Sequence, residues 1–150
     1  MLKSILRYFT VFSFGALAYG LIEIMVRGFS HISMGLLGGL TMTLITILNN
    51  ARRHGFPMIA QLLVTTAFIT ASELVTGIII NINMQLNVWD YSDMPLNYKG
   101  QICLPFVFLW FMLSILGMIV AELLRWKFFK TEFPHLRFFR SKQLSQRKSG

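Results

Sequence analysis

Acidic and basic side chains in this sequence stand inside or next to apolar runs, where a charge is costly. Glu73 lies within one such run, and Glu23, Arg27 and His31 lie at the end of an earlier one. A carboxylate at the centre of a helix within a membrane costs about 2.5–3.5 kcal/mol on insertion scales, so such a group faces a partner or a cavity. Glu23 and Glu73 are suited to bind a cation or a polar ligand group, or to exchange a proton. Arg27 is suited to neutralise them or to clamp an anion.

Aromatic and polar side chains between two apolar runs form the second candidate set, in the segment 87–103. The set consists of Trp89, Asp90, Tyr91 and Asn97. Indole and phenol rings suit a membrane–water interface, and Asp and Asn side chains shape turns by bonding to nearby backbone groups. We expect Asp90 and Asn97 to join the four residues above in one outward-facing pocket, with Trp89 and Tyr91 as its lid. A structured cap over the helices is the alternative role for this segment.

The same residues permit other interpretations. For the acids and bases, the alternative is a buried ion-pair network that fixes the register of the helices. Two glutamates and one histidine form no specific metal-ligand spacing, and the sequence contains no nucleophile triad and no Gly-rich phosphate loop. We therefore predict no metal and no cofactor, and catalysis is the less favoured alternative. The single cysteine, Cys103, excludes an internal disulfide.

The composition places these residues on helices within a membrane. Of the 150 residues, 55% are hydrophobic and 13% are charged, whereas soluble domains are about a quarter charged. A helix needs roughly 20 apolar residues to cross a membrane, and the second of four apolar runs is short for this. We predict an all-α integral membrane protein, with a four-helix transmembrane domain at 1–126 and a basic aromatic cytoplasmic tail at 127–150. The predicted spans are about 8–26, 32–48, 58–80 and 102–124.

The positions of Lys and Arg predict the orientation of the helices. Twelve of the 14 lie in the N-terminal segment, in the connection after the second span, or from residue 125 onward. We expect these three regions on the cytoplasmic side of a bacterial cytoplasmic membrane, with both termini inside and the 87–103 loop outside. The alternative is a signal peptide cleaved near Ala18, but cleavage would break this four-span charge pattern.

Basic side chains on the predicted cytoplasmic side form a candidate surface for lipids or partners. A base near anionic lipid gains about 1 kcal/mol, and the aromatic rings of the tail suit headgroup depth. Membrane topology explains the net charge of +8 better than binding to nucleic acid does. For the tail alone, a nucleic-acid arm and a docking surface for a cytoplasmic partner are the alternatives. Glu122, three residues before Arg125, is expected to form a helix pair with it. The residues of the surface are Arg52, Arg53, Arg125, Lys127, Lys130, Arg137 and Arg140.

Small and polar residues recur at helical spacing in each span, which predicts one compact bundle. Gly35 and Gly39 form a G-x-x-x-G motif in the second span. Packing alone is the alternative role for the small members of these stripes. The stripes are Ala16, Gly20, Glu23 and Arg27; Gly35, Gly39, Met42 and Thr46; Thr66, Thr70, Glu73 and Gly77; and Trp110, Ser114, Gly117 and Ala121.

The polar loop and the residues before it form a distinctive block: Trp89, Asp90, Tyr91, Ser92, Pro95, Asn97, Gly100, Gln101, Ile102, Cys103 and Trp110, preceded by Glu73 and Gly77, and by Gly20 and Glu23. This block resembles that of a known family, the bacterial ABC-transporter permeases of type IV. The resemblance covers about Gly20 to Glu122; the segment His31–Leu40 departs from the family pattern, and the basic tail lies outside it. The resemblance implies a multi-span membrane protein with an outward-facing site.

Three hypotheses of function follow. The first is a permease-like or transport-accessory subunit with an outward-facing polar site. Four spans are few for a pathway, so this hypothesis requires a homo-oligomer or another membrane subunit. The sequence has no ATP-binding motif, so any ATPase would be a separate chain. The second is a membrane scaffold or regulator that recruits a partner through the basic tail. The third is a membrane enzyme that acts on a lipid headgroup with a glutamate as base.

Overall fold

The computed structural model describes residues 2–129, which form four long helices. These are α1 (Leu2–Arg27), α2 (Ile32–Arg53), α3 (Met58–Gly77) and α4 (Leu104–Phe129). A short antiparallel hairpin, β1 (Asn97–Tyr98) with β2 (Ile102–Cys103), precedes α4. Each of the four helical stretches is long and apolar enough to cross a membrane. The prediction of a four-helix membrane fold is therefore confirmed, and the stretches are Ser4–Met25, Ile32–Arg53, Met58–Asn83 and Leu104–Phe128.

The helices run up and down, which is shown by the contacts at their ends. Arg7 of α1 donates to the Asn50 side chain of α2 at 3.4 Å, and Arg53 of α2 contacts Glu122 of α4. These groups define one end of the bundle, which we call the basic end. The opposite end carries the segment 78–103 and the short α1–α2 connection, and we call it the loop end.

The second helix is longer than its predicted span. It begins after His31, whose ring Nδ1 accepts a hydrogen bond from the Ser33 backbone N–H at 3.3 Å, and it continues to Arg53. The apolar run stops at residue 48, but Asn49 is buried and donates to the Met118 carbonyl at 3.2 Å. A polar residue therefore continues the helix because α4 supplies its partner. The helix thus extends past the predicted span of about 32–48, which stays a prediction of the membrane-embedded part.

The third helix changes its winding at the loop end. After Gly77 the chain continues as a π-helical segment, Ile78–Asn83, and the Met84 N–H bonds to the Ile79 carbonyl at 3.0 Å. A π-helical turn is wider than an α-helical one. This segment carries Asn81 into a buried position beneath the loop.

Apolar side chains cover both the inside and the outside of the bundle. Large apolar residues such as Phe9, Leu17 and Phe108 are exposed along the helices, as expected for surfaces that face lipid rather than water. Inside, two apolar clusters are packed, one toward each end. The basic-end cluster is Val11, Met42, Ile45, Met118, Ala121 and Leu124, and the loop-end cluster is Met34, Ile80, Val88, Trp89, Tyr91 and Cys103.

The fourth helix extends beyond the predicted end of the transmembrane domain at residue 126. It continues to Phe129, so the first residues of the predicted tail are helical. The other predicted tail residues, Lys130, Arg137 and Arg140, lie outside the described residues.

Candidate interior site around Glu73

Glu73 is buried in the middle of the bundle, with 2% of its surface exposed. The Trp110 indole N–H of α4 donates to its Oε2 at 2.7 Å. The Trp110 ring lies against Tyr19 of α1, with centroids 5.8 Å apart, and against Phe106, with centroids 6.1 Å apart. A distance of 2.7 Å is at the short end of the range for N–H···O hydrogen bonds. Trp110 therefore holds the Glu73 carboxylate in one orientation beside aromatic rings from two helices.

A cavity of about 170 Å³ lies next to this pair. Its walls come from all four helices and are mostly apolar. Among the polar lining residues, the Ser114 hydroxyl is already bonded to the Trp110 carbonyl at 2.8 Å. Glu73 is the acidic member of the lining. The arrangement can therefore bind a small group that carries a positive charge or a hydrogen-bond donor on an apolar body.

The residues of the α1–α2 connection that were predicted to share a pocket with Glu73 lie at a different cavity from the one beside Glu73. The Ser30 hydroxyl donates to the buried Glu23 carboxylate at 3.2 Å. His31 contacts the Ser33 hydroxyl at 2.8 Å, and with Ser30 it lines an open cavity of about 310 Å³ between α1 and α2. Arg27 ends α1, but its side chain lies outside the described part of the structure. The cavity of His31 and the cavity of Glu73 share no lining residue, so their union in one pocket stays a prediction.

Asn81 organises the buried side of the loop. Its Nδ2 donates to the Trp89 carbonyl at 2.9 Å and to the Gln101 Oε1 at 2.8 Å, and its Oδ1 accepts from the Val88 N–H at 2.7 Å. The Trp89 indole N–H donates to the Gln101 carbonyl at 3.0 Å. Sequence reasoning missed Asn81 and Gln101 as the centre of this network. The available signal was an asparagine at the end of an apolar run, where an amide must find partners.

Asp90 and Asn97 shape the exposed side of the loop. Asp90 Oδ1 accepts from the Ser92 hydroxyl at 2.5 Å and from the Ser92 N–H at 2.9 Å. These two bonds, the hydroxyl first, lower the pKa of Asp90 below its usual value. The Asn97 amide donates to the Ser92 and Met94 carbonyls, both at 2.9 Å. These bonds stay within the loop, which favours the interpretation of a structured cap for these two residues.

Tyr91 and Trp89, the predicted lid, pack inward. Both are buried, and the Tyr91 ring stacks on Phe106 with centroids 4.4 Å apart. Phe106 also lies against Trp110. An aromatic row thus connects the loop to the hydrogen-bond donor of Glu73. These contacts agree with a role of Trp89 and Tyr91 in covering the loop end of the Glu73 site. Their role as a lid that opens stays a prediction.

The basic end contains a second buried carboxylate. Glu122 Oε2 lies 3.4 Å from the Arg125 guanidinium, which confirms the predicted helix pair, and 2.6 Å from that of Arg53 on α2. Arg52 points its guanidinium at the Met118 sulfur, at 3.0 Å. These three arginines contact the bundle itself, whereas Lys127 is exposed at the end of α4. Their binding to lipid or to a partner stays a prediction.

Within residues 2–129, no three His, Cys, Asp or Glu side chains are close enough together to hold a metal ion.

The fold and the Glu73 site define a small multi-pass α-helical membrane protein with a buried acid in its helix bundle. The model of the family described as "Putative ABC-transporter type IV" matches residues 7–138. The chain belongs to this family, which confirms the resemblance seen in the sequence. Comparisons with curated proteins and with solved structures give no match.

Proposed function

We propose that this chain is a permease-like or accessory membrane subunit of an ABC-type transport system, and that the Glu73 cavity binds a ligand of that system. The observation that supports the proposal is a carboxylate, 2% exposed, that lines a cavity inside a membrane-spanning bundle. Acidic groups within membrane-spanning helices are costly, and substrate, ion and proton pathways are among the roles that retain them. The family match supports the transport context.

The chemistry of the site favours a cationic ligand group, a hydrogen-bond donor or a proton. Apolar walls lower the local dielectric constant, which strengthens the attraction between the Glu73 carboxylate and a positive charge. The faces of Tyr19 and Trp110 can add cation–π attraction. Because Trp110 already orients the carboxylate at 2.7 Å, binding would require little rearrangement of the acid.

Other chains would supply the remaining functions of the transport system. The sequence has no Gly-rich phosphate loop with a following Lys, so ATP would be hydrolysed by a separate chain. Four helices offer few walls for a pathway, so copies of this chain or another membrane subunit would complete it. We place the protein in the cytoplasmic membrane of a bacterium, with the basic end inside. Arg52, Arg53 and Lys127 would there contact anionic lipid or the ATPase.

Affinity purification tests the transport context. The intact chain would be purified from native membranes in mild detergent, and its partners identified by mass spectrometry. We expect a chain with an ATP-binding motif to co-purify, and not to do so with an unrelated tagged four-helix membrane protein. Recovery of only further copies of this chain, with or without a bound lipid, would contradict the proposal.

A pair of variants tests the Glu73 site within the purified complex. Glu73→Gln keeps the size of the side chain and removes its charge, so we expect the complex to assemble and its ATP hydrolysis to fall. Asp93→Asn is the matched control, because Asp93 is an exposed carboxylate of the loop. Equal hydrolysis by wild type and both variants would exclude Glu73 as the ligand group while leaving the transport context intact.

A further inference from the structure

Three buried polar atoms on α3 make no hydrogen bond within the described chain: Gln61 Oε1, Thr65 Oγ1 and Thr70 Oγ1. Gln61 and Thr65 are each only 1% exposed. Both lie in a helix that is apolar enough to cross a membrane. A polar atom without a partner in hydrocarbon surroundings is strongly unfavourable. Residues four apart lie on the same face of a helix, so one bound group can serve both atoms.

The orientation of the Gln61 amide follows from its neighbours. Asn49 Nδ2 donates to the Met118 carbonyl at 3.2 Å, and a carbonyl can only accept. The Asn49 Oδ1 must therefore face Gln61, whose Nε2 donates to it at 2.6 Å. An exchange of N and O in either amide would set two donors or two acceptors against each other. Gln61 Oε1 is thus the acceptor that this network leaves unused.

The Thr65 hydroxyl differs from those of Thr66 on the same helix and Thr46 on α2. Thr66 donates to the Leu62 carbonyl and Thr46 to the Met42 carbonyl, each one turn earlier and each at 2.9 Å. Such back-bonding is the usual way to satisfy a hydroxyl on a buried helix. The Thr65 hydroxyl makes no corresponding bond among the described residues. It therefore keeps both a donor and an acceptor for another molecule.

We propose that Gln61 and Thr65 bind a water molecule inside the bundle, where α2, α3 and α4 meet. At 1% exposure the atoms are out of reach of a second copy, a peptide or a lipid headgroup, so the occupant is small. The two protein atoms are neutral, and Ca²⁺ or Mg²⁺ would require several oxygens and compensating charge. A buried water needs two to four polar partners, which an amide oxygen and a hydroxyl begin to supply.

The position of this water extends the polar interior toward the basic end. Ile45 and Ile69 line the Glu73 cavity. Asn49 and Thr65 lie one helical turn beyond them, on the side of the basic end, since these helix positions are four residues apart. The water would therefore lie one turn below the floor of the cavity. The inference does not depend on the proposed transport function.

The direction in which one substitution changes the melting temperature tests the proposal. Thr65→Val keeps the shape of the side chain and removes its hydroxyl. If water is bound, the variant removes one of its partners, and the melting temperature of the purified full chain falls. If no water is bound, the variant removes an unsatisfied hydroxyl, and the melting temperature rises or stays unchanged. Thr66→Val, which loses a hydroxyl bonded to the backbone of the same helix, gives the baseline for a Thr-to-Val change.

Water-to-protein magnetisation transfer in solid-state NMR of the wild-type chain in lipid bilayers provides a readout that needs no variant. We expect transfer from water to the Thr65 side chain that exceeds transfer to Thr66. Equal, weak transfer at both residues would overturn the proposal. A melting temperature that falls when sodium and potassium are replaced by choline, in wild type but not in Thr65→Val, would also overturn it in favour of a bound cation.

Discussion

Three of the carboxylates with described partners, those of Glu122, Asp90 and Glu73, show how the surroundings of an acid decide its role. Glu122 is bound by two guanidinium groups and ties α2 to α4. Asp90 is exposed and bonded to Ser92 in its own loop. Glu73 receives a hydrogen bond from the Trp110 indole, which orients the acid. Glu73 is also the acid that lines the interior cavity, so it is the best candidate among the three for ligand binding.

The lowered pKa of Asp90 predicts how the loop responds to acid. The ionised form is favoured by the Ser92 hydroxyl and then by the Ser92 N–H. The stability that ionised Asp90 gives the folded loop is therefore complete above the usual Asp pKa of about 3.9. This stability is lost as the pH falls through the lowered pKa of Asp90 in the folded state. We expect Ser92→Ala to raise the pKa of Asp90 toward the usual value, because the larger of the two causes is removed.

Carboxyl-carbon NMR with labelled aspartate measures this change directly. The chain has only two aspartates, Asp90 and Asp93, so Asp90→Asn identifies the relevant signal by its loss. A titration midpoint for Asp90 that is the same in wild type and in Ser92→Ala would contradict the assignment of the shift to the hydroxyl.

The pairing of α1 with α2 depends on two glycines at their closest approach. A Cβ on Gly38 would lie 2.5 Å from the Tyr19 Cβ and 2.6 Å from the Gly15 carbonyl oxygen. Backbone cannot yield as a flexible side chain can, so we expect Gly38→Ala to destabilise the bundle by about 1–3 kcal/mol through overpacking. The measurement is the unfolding of the purified chain in detergent, followed by circular dichroism.

Gly35→Ala is the matched control on the same helix. A Cβ there would lie 3.7 Å from the Ala16 carbonyl oxygen, an ordinary contact. Replacing a helical glycine with alanine stabilises by about 0.5–1 kcal/mol when space allows. Equal effects of the two substitutions would show that α1 and α2 do not cross where the structure places them.

The helices were predictable from the sequence, and their contacts were not. Four apolar runs identify four spans because a crossing helix needs a minimum apolar length. The end of α2 escaped prediction because Asn49 finds its partners on α3 and α4. The motif Gly35–Gly39 was visible, but the closest contact lies at Gly38 with Gly15. Spacing shows which residues share a face, and it does not show which neighbour that face meets.

The candidate site was predictable only in part, for the same reason. Glu73 was recognisable alone, since an acid within an apolar run is unusual. Its hydrogen bond to Trp110 joins α3 to α4. Trp110 was recognised as a member of the stripe on the fourth span, but its spacing did not identify Glu73 as its partner. The single outward-facing pocket expected for Glu73 and His31 stays a prediction, because in the structure the two residues line different cavities.

At the scale of the whole molecule, the structure has two chemically different ends. Arginines of α1, α2 and α4 lie at the basic end, and the opposite end carries a hydrogen-bonded loop with few bases. Four spans in an up-and-down arrangement bring Leu2 and Phe129 to the same end. Because cytoplasmic loops are enriched in Lys and Arg, this asymmetry predicts that the basic end faces the cytoplasm.

Cysteine labelling of bacterial spheroplasts tests this orientation. His54→Cys and Asp93→Cys would place an exposed thiol at the basic end and in the loop, respectively. The native Cys103 is 2% exposed, so the wild-type chain gives a low background. We expect a membrane-impermeant maleimide to label Asp93→Cys in spheroplasts, and to label His54→Cys only after the membrane is permeabilised. The reverse pattern would put the basic end outside, where neither an ATPase nor the anionic lipid of the cytoplasmic leaflet could reach Arg53 and Lys127.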